Sequence, residues 1–423
     1  MLNLLTEDKY YRRFLFGMVL AGGSSFLLIF LLVWTGPLRS IWPNPGYIPG
    51  RDFKLIYDIV LSFSSGQGIP TSFYFPLTLF FYLPLNHLSF YHAFIVMTVW
   101  NLSMALILAI VAVKIVKYYG VNLSSGAMWI LFLSYIFFCP ATAELNSANI
   151  NTMVACFIAL FYYFLFIKQR NMLAALCLVV ATLFKIYPAF LIIVALMDRR
   201  YKFIWAFLLI LCLCVIASIL LLGIPVHIIW VEFLLQFQGG LGLMWGGGAT
   251  ITGILYKSLQ LIGVTEVVSS TTISVIWIAV RAMIVIALAC YLFIILRKKD
   301  SPNYNQWIIL SFSLFSVLMV SLPNHAWVYY ATCLALPFIL CVLCLKLSLF
   351  DRILLALSIA FFSFNTHIDN LAGFVGGAFG GFFHILSPGA IGNLLFLSFI
   401  LVYMTKLKRG GVVDAIINRN SCL

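Results

Sequence analysis

Residues 50–60, GRDFKLIYDIV, set two carboxylates, Asp52 and Asp58, within seven positions of a chain that has only 12 acidic residues in 423. A carboxylate placed against a hydroxyl can serve as a general base. Six residues is about 240° around a helical wheel at 3.6 residues per turn, so the two acids do not share a face and form no pair. Asp52 stands at the start of a helical pattern, Phe53, Ile56, Tyr57, Val60 and Phe63, where an aspartate can also cap the first free amides and complement the helix dipole. Asp58 also reads as a solvated acid at a membrane interface.

Other polar residues stand where lipid would exclude them. Arg281 lies two to three turns inside the apolar run SVIWIAVRAMIVIALACYLF. Ionisable groups at that depth are costly and are usually paired or functional, unless the side chain snorkels to the interface. Lys185 sits in LFKIYP, either paired with Glu144 or another acid, or free to bind. His325, in SLPNHAWVYY, is an interfacial anchor or a site residue. The stretch ELNSANIN brings Glu144, Asn149 and Asn151 to a helix start, where they can cap it or hydrogen-bond a polyol. Arg and Lys recognise phosphate through charge-assisted hydrogen bonds. A carboxylate base with Arg281, Lys185 and His325 around it therefore suits sugar transfer from a lipid phosphate in an outward-facing cavity.

The elements that must position these residues are membrane helices. The chain is 64% hydrophobic and 9% charged, against about 25% charged in soluble domains. Such a chain cannot cover a water-facing surface. Its apolar runs are continuous rather than alternating, which excludes a membrane barrel. The fold class is thus all-α and polytopic, one integral-membrane domain over residues 1–423 with about 12 spans. They fall near 14–34, 90–113, 123–139, 150–167, 172–184, 188–197, 203–223, 272–296, 305–322, 328–345, 352–365 and 390–405. The first reads as a retained helix rather than a cleaved leader. Residues 172–184 and 188–197 read as half-depth helices meeting inside the protein at KIYP, since broken backbone at that depth must be buried. Longer polar-tolerant loops are expected near 35–72, 224–271 and 366–389, with the 53–63 helix lying amphipathically at the surface.

With both termini cytoplasmic, all but six of the 25 Lys and Arg residues fall in cytoplasmic segments; the exceptions are Arg39, Arg51, Lys54, Lys185, Lys257 and Arg281. This obeys the positive-inside rule and makes the formal charge of +13 a topology signal. Nucleic acid is not an expected partner, because that footprint needs one clustered basic face. Asp52, Asp58, Glu144, Glu232, Glu266 and Asp369 fall on the opposite, extracytoplasmic side. The ten cysteines lie mostly inside helices as small apolar packing and imply neither a disulfide framework nor a metal site. The Gly-rich GGLGLMWGGG lacks a P-loop lysine and reads as an outer loop.

Three blocks, GRDFKLIYDIVLSFSSGQGIP with YFPLTLFFYLPL, NINTMVACFIALFYYFLFIKQRNMLAALCLVVATLFKIYPAFLIIVALMDRRYK, and SLPNHAWVYYATCLALP, resemble glycosyltransferase family 87 of the integral-membrane superfamily C. The resemblance implies an extracytoplasmic transferase that takes a hexose, typically mannose, from a polyprenyl-phosphate donor. The acid of the first outer loop, the family's proposed base, maps onto Asp52, and the later histidine onto His325. Arg281, Lys185 and His325 are then the donor-phosphate ligands, and Asp58, Glu144, Asn149, Asn151 and Tyr74 the acceptor or sugar contacts. The partners are the donor, a glycan or glycolipid acceptor and membrane lipid, with no cofactor and no catalytic metal. A bacterial inner membrane is the expected location. The alternative is a transporter or flippase of a lipid-linked sugar, which would carry paired broken helices in two related halves; only one break and no repeat are visible.

Overall fold

The computed structural model describes residues 50–66, 74–124, 126–239, 270–297, 301–323, 328–375 and 388–409, together with Lys299 and isolated positions in 250–258. Among the described residues every regular element is helical. In chain order these are α1 (Arg51–Ser64), short turns from Pro76 to His87, α2 (Phe90–Tyr118), α3 (Ala127–Ile136), α4 (Cys139–Ser147) and α5 (Asn151–Tyr162, extended by a π turn to Ile167). Then follow α6 (Asn171–Phe184), α7 (Ile192–Met197, behind a 3-10 turn from Tyr187), α8 (Tyr201–Leu222) and α9 (Ile224–Gly239). The rest are α10 (Ser270–Leu296), α11 (Tyr304–Ser321), α12 (Ala335–Cys344, behind a 3-10 turn from Val328), α13 (Leu349–Val375) and α14 (Pro388–Lys408).

Among the described residues five helices are long and apolar enough to cross a membrane: α2, α8, the Val275–Leu296 part of α10, α11 and α14. Two kinds of burial distinguish them. From Gln306 to Ser321, α11 is buried on every side; it touches α7, α10, α12 and α14 and forms the central post. By contrast α8 and α10 expose Trp205, Leu209, Leu220, Val275, Ile276 and Met283. Large apolar side chains in unbroken rows on a helix surface call for lipid, not water. The chain is a membrane protein on these grounds.

On the far side of the post, α13 and α14 pack most intimately. A Cβ at Gly392 would come within 3.0 Å of the Phe362 ring and 3.1 Å of the Ser358 carbonyl, so only glycine lets the two backbones approach. The Ser358 hydroxyl donates to the Gly392 carbonyl at 2.8 Å, and Phe338 stacks on Phe396 with centroids 4.1 Å apart.

Up-and-down alternation of the helices gathers Lys114, Lys117, Lys168, Arg200, Lys299 and Lys406 at one end of the bundle. Two buried acids lie there. Asp198 accepts from Arg200 Nε at 2.6 Å and from the Tyr304 hydroxyl. Asp351 accepts from Lys406 Nζ at 2.7 Å and from the Ser348 hydroxyl at 2.6 Å. They tie α7 to α11 and α13 to α14, and their carboxylates are fully committed to structure.

Several expected boundaries move. The span expected at 123–139 stops at Ile136, and α4 starts anew at Cys139 with Pro140 in its first turn, where proline is favoured. The loop expected at 224–271 begins with a 16-residue helix, α9. Likewise α13 runs on to Val375, into the loop expected at 366–389. The expected half-depth pair is present as α6 and the 187–197 helix, parted at Lys185 and Ile186. The first expected span, 14–34, lies outside the described residues; of the about twelve expected, five are long enough to span alone among the described residues, and six further apolar helices are shorter.

Candidate active site

The site lies at the end of the bundle opposite the basic clusters, where four chain segments break their helices. The first break is Gly50, which opens α1 at φ 78°. A side chain here would be strained by that dihedral, and its Cβ would sit 2.7 Å from the Phe94 ring. The spacing of Phe53, Ile56, Tyr57 and Val60 buries one face of α1 as expected. Phe53 stacks on Phe90 at 5.9 Å, and the Tyr57 hydroxyl donates to the Leu88 carbonyl. The helix is thereby pinned to the start of α2.

Asp52 does not cap α1, which overturns the capping expectation: no side chain caps this helix, and its N-terminal position is taken by Gly50. Instead the Asp52 carboxylate turns inward, and its Oδ2 accepts from Asn149 Nδ2 at 2.9 Å and from the Tyr329 hydroxyl at 2.7 Å. Its Oδ1 has no partner among the described residues. Asp58 points the other way, into an exposed pair with Lys54 at 2.8 Å, and no described contact joins it to Asp52. The two acids thus diverge, as their angular separation requires.

The second break joins α4 to α5. Ala148 closes α4 at φ 47°, a left-handed conformation that a residue with a Cβ seldom adopts. Asn149 follows, and its Oδ1 accepts from the Ile150 amide at 2.7 Å, from Asn151 Nδ2 at 3.1 Å and, at a long 3.4 Å, from the Tyr74 hydroxyl. Asn101, mid-way along α2 and fully buried, donates to the Asn149 carbonyl at 2.6 Å. Glu144 caps α5, its Oε1 accepting from the Thr152 amide, which bears out the capping reading of ELNSANIN. Its Oε2 has no hydrogen-bond partner among the described residues. Glu144 lies on α4, between the spans, and burial pushes its carboxyl up to about 8 against the opposing pull of the Thr152 amide and hydroxyl. It therefore tends to hold its proton at neutral pH. With 0% of its surface exposed, Glu144 serves as a cap in this structure.

The third break is KIYP. Lys185 ends α6 in extended conformation, φ −147° and ψ 127°, and its side chain is buried. The ammonium lies 4.6 Å over the Tyr74 ring and 5.3 Å over that of Tyr330. Cations are attracted to aromatic faces in this way. Asp52 lies close enough for its charge to act on it, but among the described residues no carboxylate forms an ion pair with it, so the alternative of a Lys185–Glu144 pair is not realised there. Two residues on, the Tyr187 hydroxyl donates to Asn151 Oδ1 at 2.8 Å. The fourth break precedes α12 and supplies Tyr329 and Tyr330.

Arg281 is half-buried on α10. Its guanidinium reaches the Trp277 carbonyl at 3.3 Å and the Leu322 carbonyl just past α11. That places it beside the segment leading to His325, which itself lies outside the described residues. No described contact carries Arg281 to Asp52. The expected group thus assembles in part: Asp52, Asn149, Asn151, Tyr74 and Lys185 meet, Glu144 backs them, and Asp58 and Arg281 stand apart. Tyr329, Tyr330, Tyr187 and Asn101 belong to the group and were not foreseen. Asn101 carried a readable signal, a lone amide in the middle of an apolar span.

An apolar groove runs beside the site between α3, α12 and α13, lined by Leu131, Phe138, Phe338, Ile339, Val342 and Ile359. Tyr135 also lines it and donates to Thr152, the residue whose amide Glu144 caps. A half-buried carboxylate, a buried ammonium and an adjoining apolar groove thus come together at one end of a helical membrane protein. Glycosyltransferase family 87 matches this chain over residues 73–322, more than half its length, and the chain belongs to that family. The matched stretch contains Tyr74, Asn149 and Lys185, whereas Asp52 and Tyr329 lie outside it. No curated protein and no solved structure matches the chain.

Proposed function

We propose that this glycosyltransferase moves a hexose, mannose in our assignment, from a polyprenyl-phosphate donor to a hydroxyl of a glycan or glycolipid on the extracytoplasmic face. Asp52 Oδ1 takes the acceptor proton while the acceptor oxygen forms its bond to the anomeric carbon. On the opposite side the bond from that carbon to the phosphate oxygen breaks, and polyprenyl phosphate leaves with the electron pair. A single displacement of this kind inverts the anomeric centre through an oxocarbenium-like transition state. The leaving group is already anionic and asks for cations rather than a proton. Lys185 answers this need, and Arg281 and His325 are assigned to the same phosphate from the adjoining segment. Tyr74 lines the sugar pocket. The prenyl chain occupies the apolar groove between α3, α12 and α13.

One observation carries the reading: among the described residues, a carboxylate oxygen without a partner stands near a buried ammonium without an ion pair. Burying a charge unpaired costs several kcal/mol, and a bound phosphate supplies the missing partner. The positive-inside pattern supports both termini in the cytoplasm and the site at the outer face, which in a bacterial inner membrane is the periplasmic one.

Membranes containing the chain, incubated with radiolabelled polyprenyl-phosphate mannose, should yield labelled glycan or glycolipid. Asp52→Asn, expressed at the same level, should lose the product by about 10³-fold or more. Full activity in that variant removes the base assignment, and failure to consume any lipid-phosphate sugar removes the donor.

A further inference from the structure

Two segments far apart in the chain converge on one oxygen of a third. Asn149 and Tyr329 both donate to Asp52 Oδ2, at 2.9 and 2.7 Å, and leave Oδ1 open. Asn149 is itself held in one sense. Its Oδ1 already accepts from the Ile150 amide and from Asn151 Nδ2, so only its Nδ2 edge can face the carboxylate. Asn151 is oriented in turn, because its Oδ1 accepts from the Tyr187 hydroxyl at 2.8 Å. Every donor in the row Tyr187, Asn151, Asn149 points the same way, toward Asp52. Asn101 fixes the backbone of the row through the Asn149 carbonyl. Asn149 and Asn151 are buried, and their side chains are engaged internally.

We infer that Asn149 and Tyr329 are positioning residues. They clamp Asp52 by Oδ2 so that Oδ1 alone meets the acceptor hydroxyl, and the Tyr187–Asn151 arm keeps the Asn149 amide from flipping. The inference rests on Asp52 acting as the base. It explains the Asn-x-Asn spacing of residues 149 and 151 and the tyrosine of KIYP as parts of one device. A carboxylate free to rotate would offer either oxygen in many poses; clamped, it is pre-oriented, and orientation is a large part of catalytic rate. Donors in a row polarise one another, so the distal tyrosine adds to the effect.

The test uses the full chain, purified in lipid nanodiscs, with labelled polyprenyl-phosphate sugar. Tyr329→Phe and Asn149→Leu each delete a donor at nearly constant volume. Each should lower kcat about 10–100-fold, the range for a hydrogen bond to a charged group, while donor KM stays within about 3-fold. Tyr187→Phe should cost less, about 2–5-fold in kcat. Tyr119→Phe removes a comparable buried bond to Tyr162 at the other end of α2; it should lower the thermal midpoint and spare kcat. Asn149→Leu risks misfolding, so Tyr329→Phe decides if that variant is not folded. A Tyr329→Phe kcat within 2-fold of wild type overturns the clamp, as does a loss confined to KM. If Asp52→Asn is fully active, the base reading falls and the clamp with it. If Asp52→Asn is inactive and Tyr329→Phe is not, only the clamp falls.

Discussion

Replacing Lys185 by methionine drives activity and stability in opposite directions. The side chain is buried, its ammonium rests on the rings of Tyr74 and Tyr330 at 4.6 and 5.3 Å, and no ion pair holds it among the described residues. Methionine keeps most of the stem and removes the charge. The fold loses two ring contacts, worth about 0.5–2 kcal/mol together, and is relieved of a buried charge whose effective desolvation penalty is several kcal/mol. The second effect is larger, so the empty protein should unfold at an equal or higher temperature. Catalysis should suffer. An ammonium about 4 Å from a phosphate at an effective dielectric of about 20 contributes on the order of 4 kcal/mol. Part of that stabilises the bound donor as well as the departing phosphate, so the loss in kcat/KM should be about 10²–10³-fold. The measurements are initial rates of labelled-sugar transfer at subsaturating donor, and thermal unfolding in the same nanodiscs. A Lys185→Met protein with kcat/KM within 10-fold of wild type refutes the phosphate role. A parallel fall of activity and unfolding temperature refutes the charge ledger and makes Lys185 a structural residue.

Glu144→Gln should change the pH dependence of stability. Burial raises the folded carboxyl from 4.5 to about 8, so between these values the folded state holds a proton that the unfolded chain releases. Stability is then present at low pH and declines as pH rises through that window, by at most about 1.4 kcal/mol per unit. The glutamine variant lacks this slope, and coincident midpoint-versus-pH curves from pH 5 to 8 would count against the buried proton. Gly50→Ala should lower both the unfolding temperature and kcat. A left-handed alanine costs about 1–2 kcal/mol, and relieving the 2.7 Å approach to Phe94 must shift α1 and Asp52 with it; wild-type kcat in a destabilised variant would separate α1 from the site.

The helical class and the amphipathic α1 were legible because periodicity is a local property. Phe53, Ile56, Tyr57 and Val60 declare their common face within two turns, and Lys185 with Pro188 declares a break in an apolar run. Partnerships are not local. Asp52 meets Asn149 across 97 residues and Tyr329 across 277, and nothing in the spacing of either records the other. The capping expectation failed for a related reason. Aspartate at a helix start is a sound cap by itself, but Gly50 takes the turn in left-handed conformation, and two donors from elsewhere claim the carboxylate. Glu144 and Asp58 are the same chemistry read without environment: one is sealed in the bundle on an amide, the other is exposed beside Lys54. The helix at 224–239 was hidden by its neighbours. Gly223 ends α8 and Pro225 opens α9 in its first turn, so a chain that pauses for one residue and resumes has the residue signals of a loop.

The breaks and the site coincide for a physical reason. An unbroken helix in lipid satisfies its backbone internally and leaves side chains only on its outer surface. A polar cluster below the membrane surface therefore needs chain ends inside the protein, and each end exposes amides and carbonyls that must find partners there. At the α4–α5 break, Glu144 and Asn149 supply those partners, taking the Thr152 and Ile150 amides. Once present for that purpose, the same polar groups can hold a carboxylate. With a rise of 1.5 Å per residue, the 14 residues of α6 reach only about 21 Å from their start, short of the roughly 30 Å hydrocarbon core. Lys185 ends this short helix over the ring of Tyr74, whose hydroxyl reaches Asn149. Lengthening α6 by one turn would lift the ammonium by about 5 Å, out of the space between Tyr74 and Tyr330 and away from Asp52. The short helix is thus what places the cation beside the base.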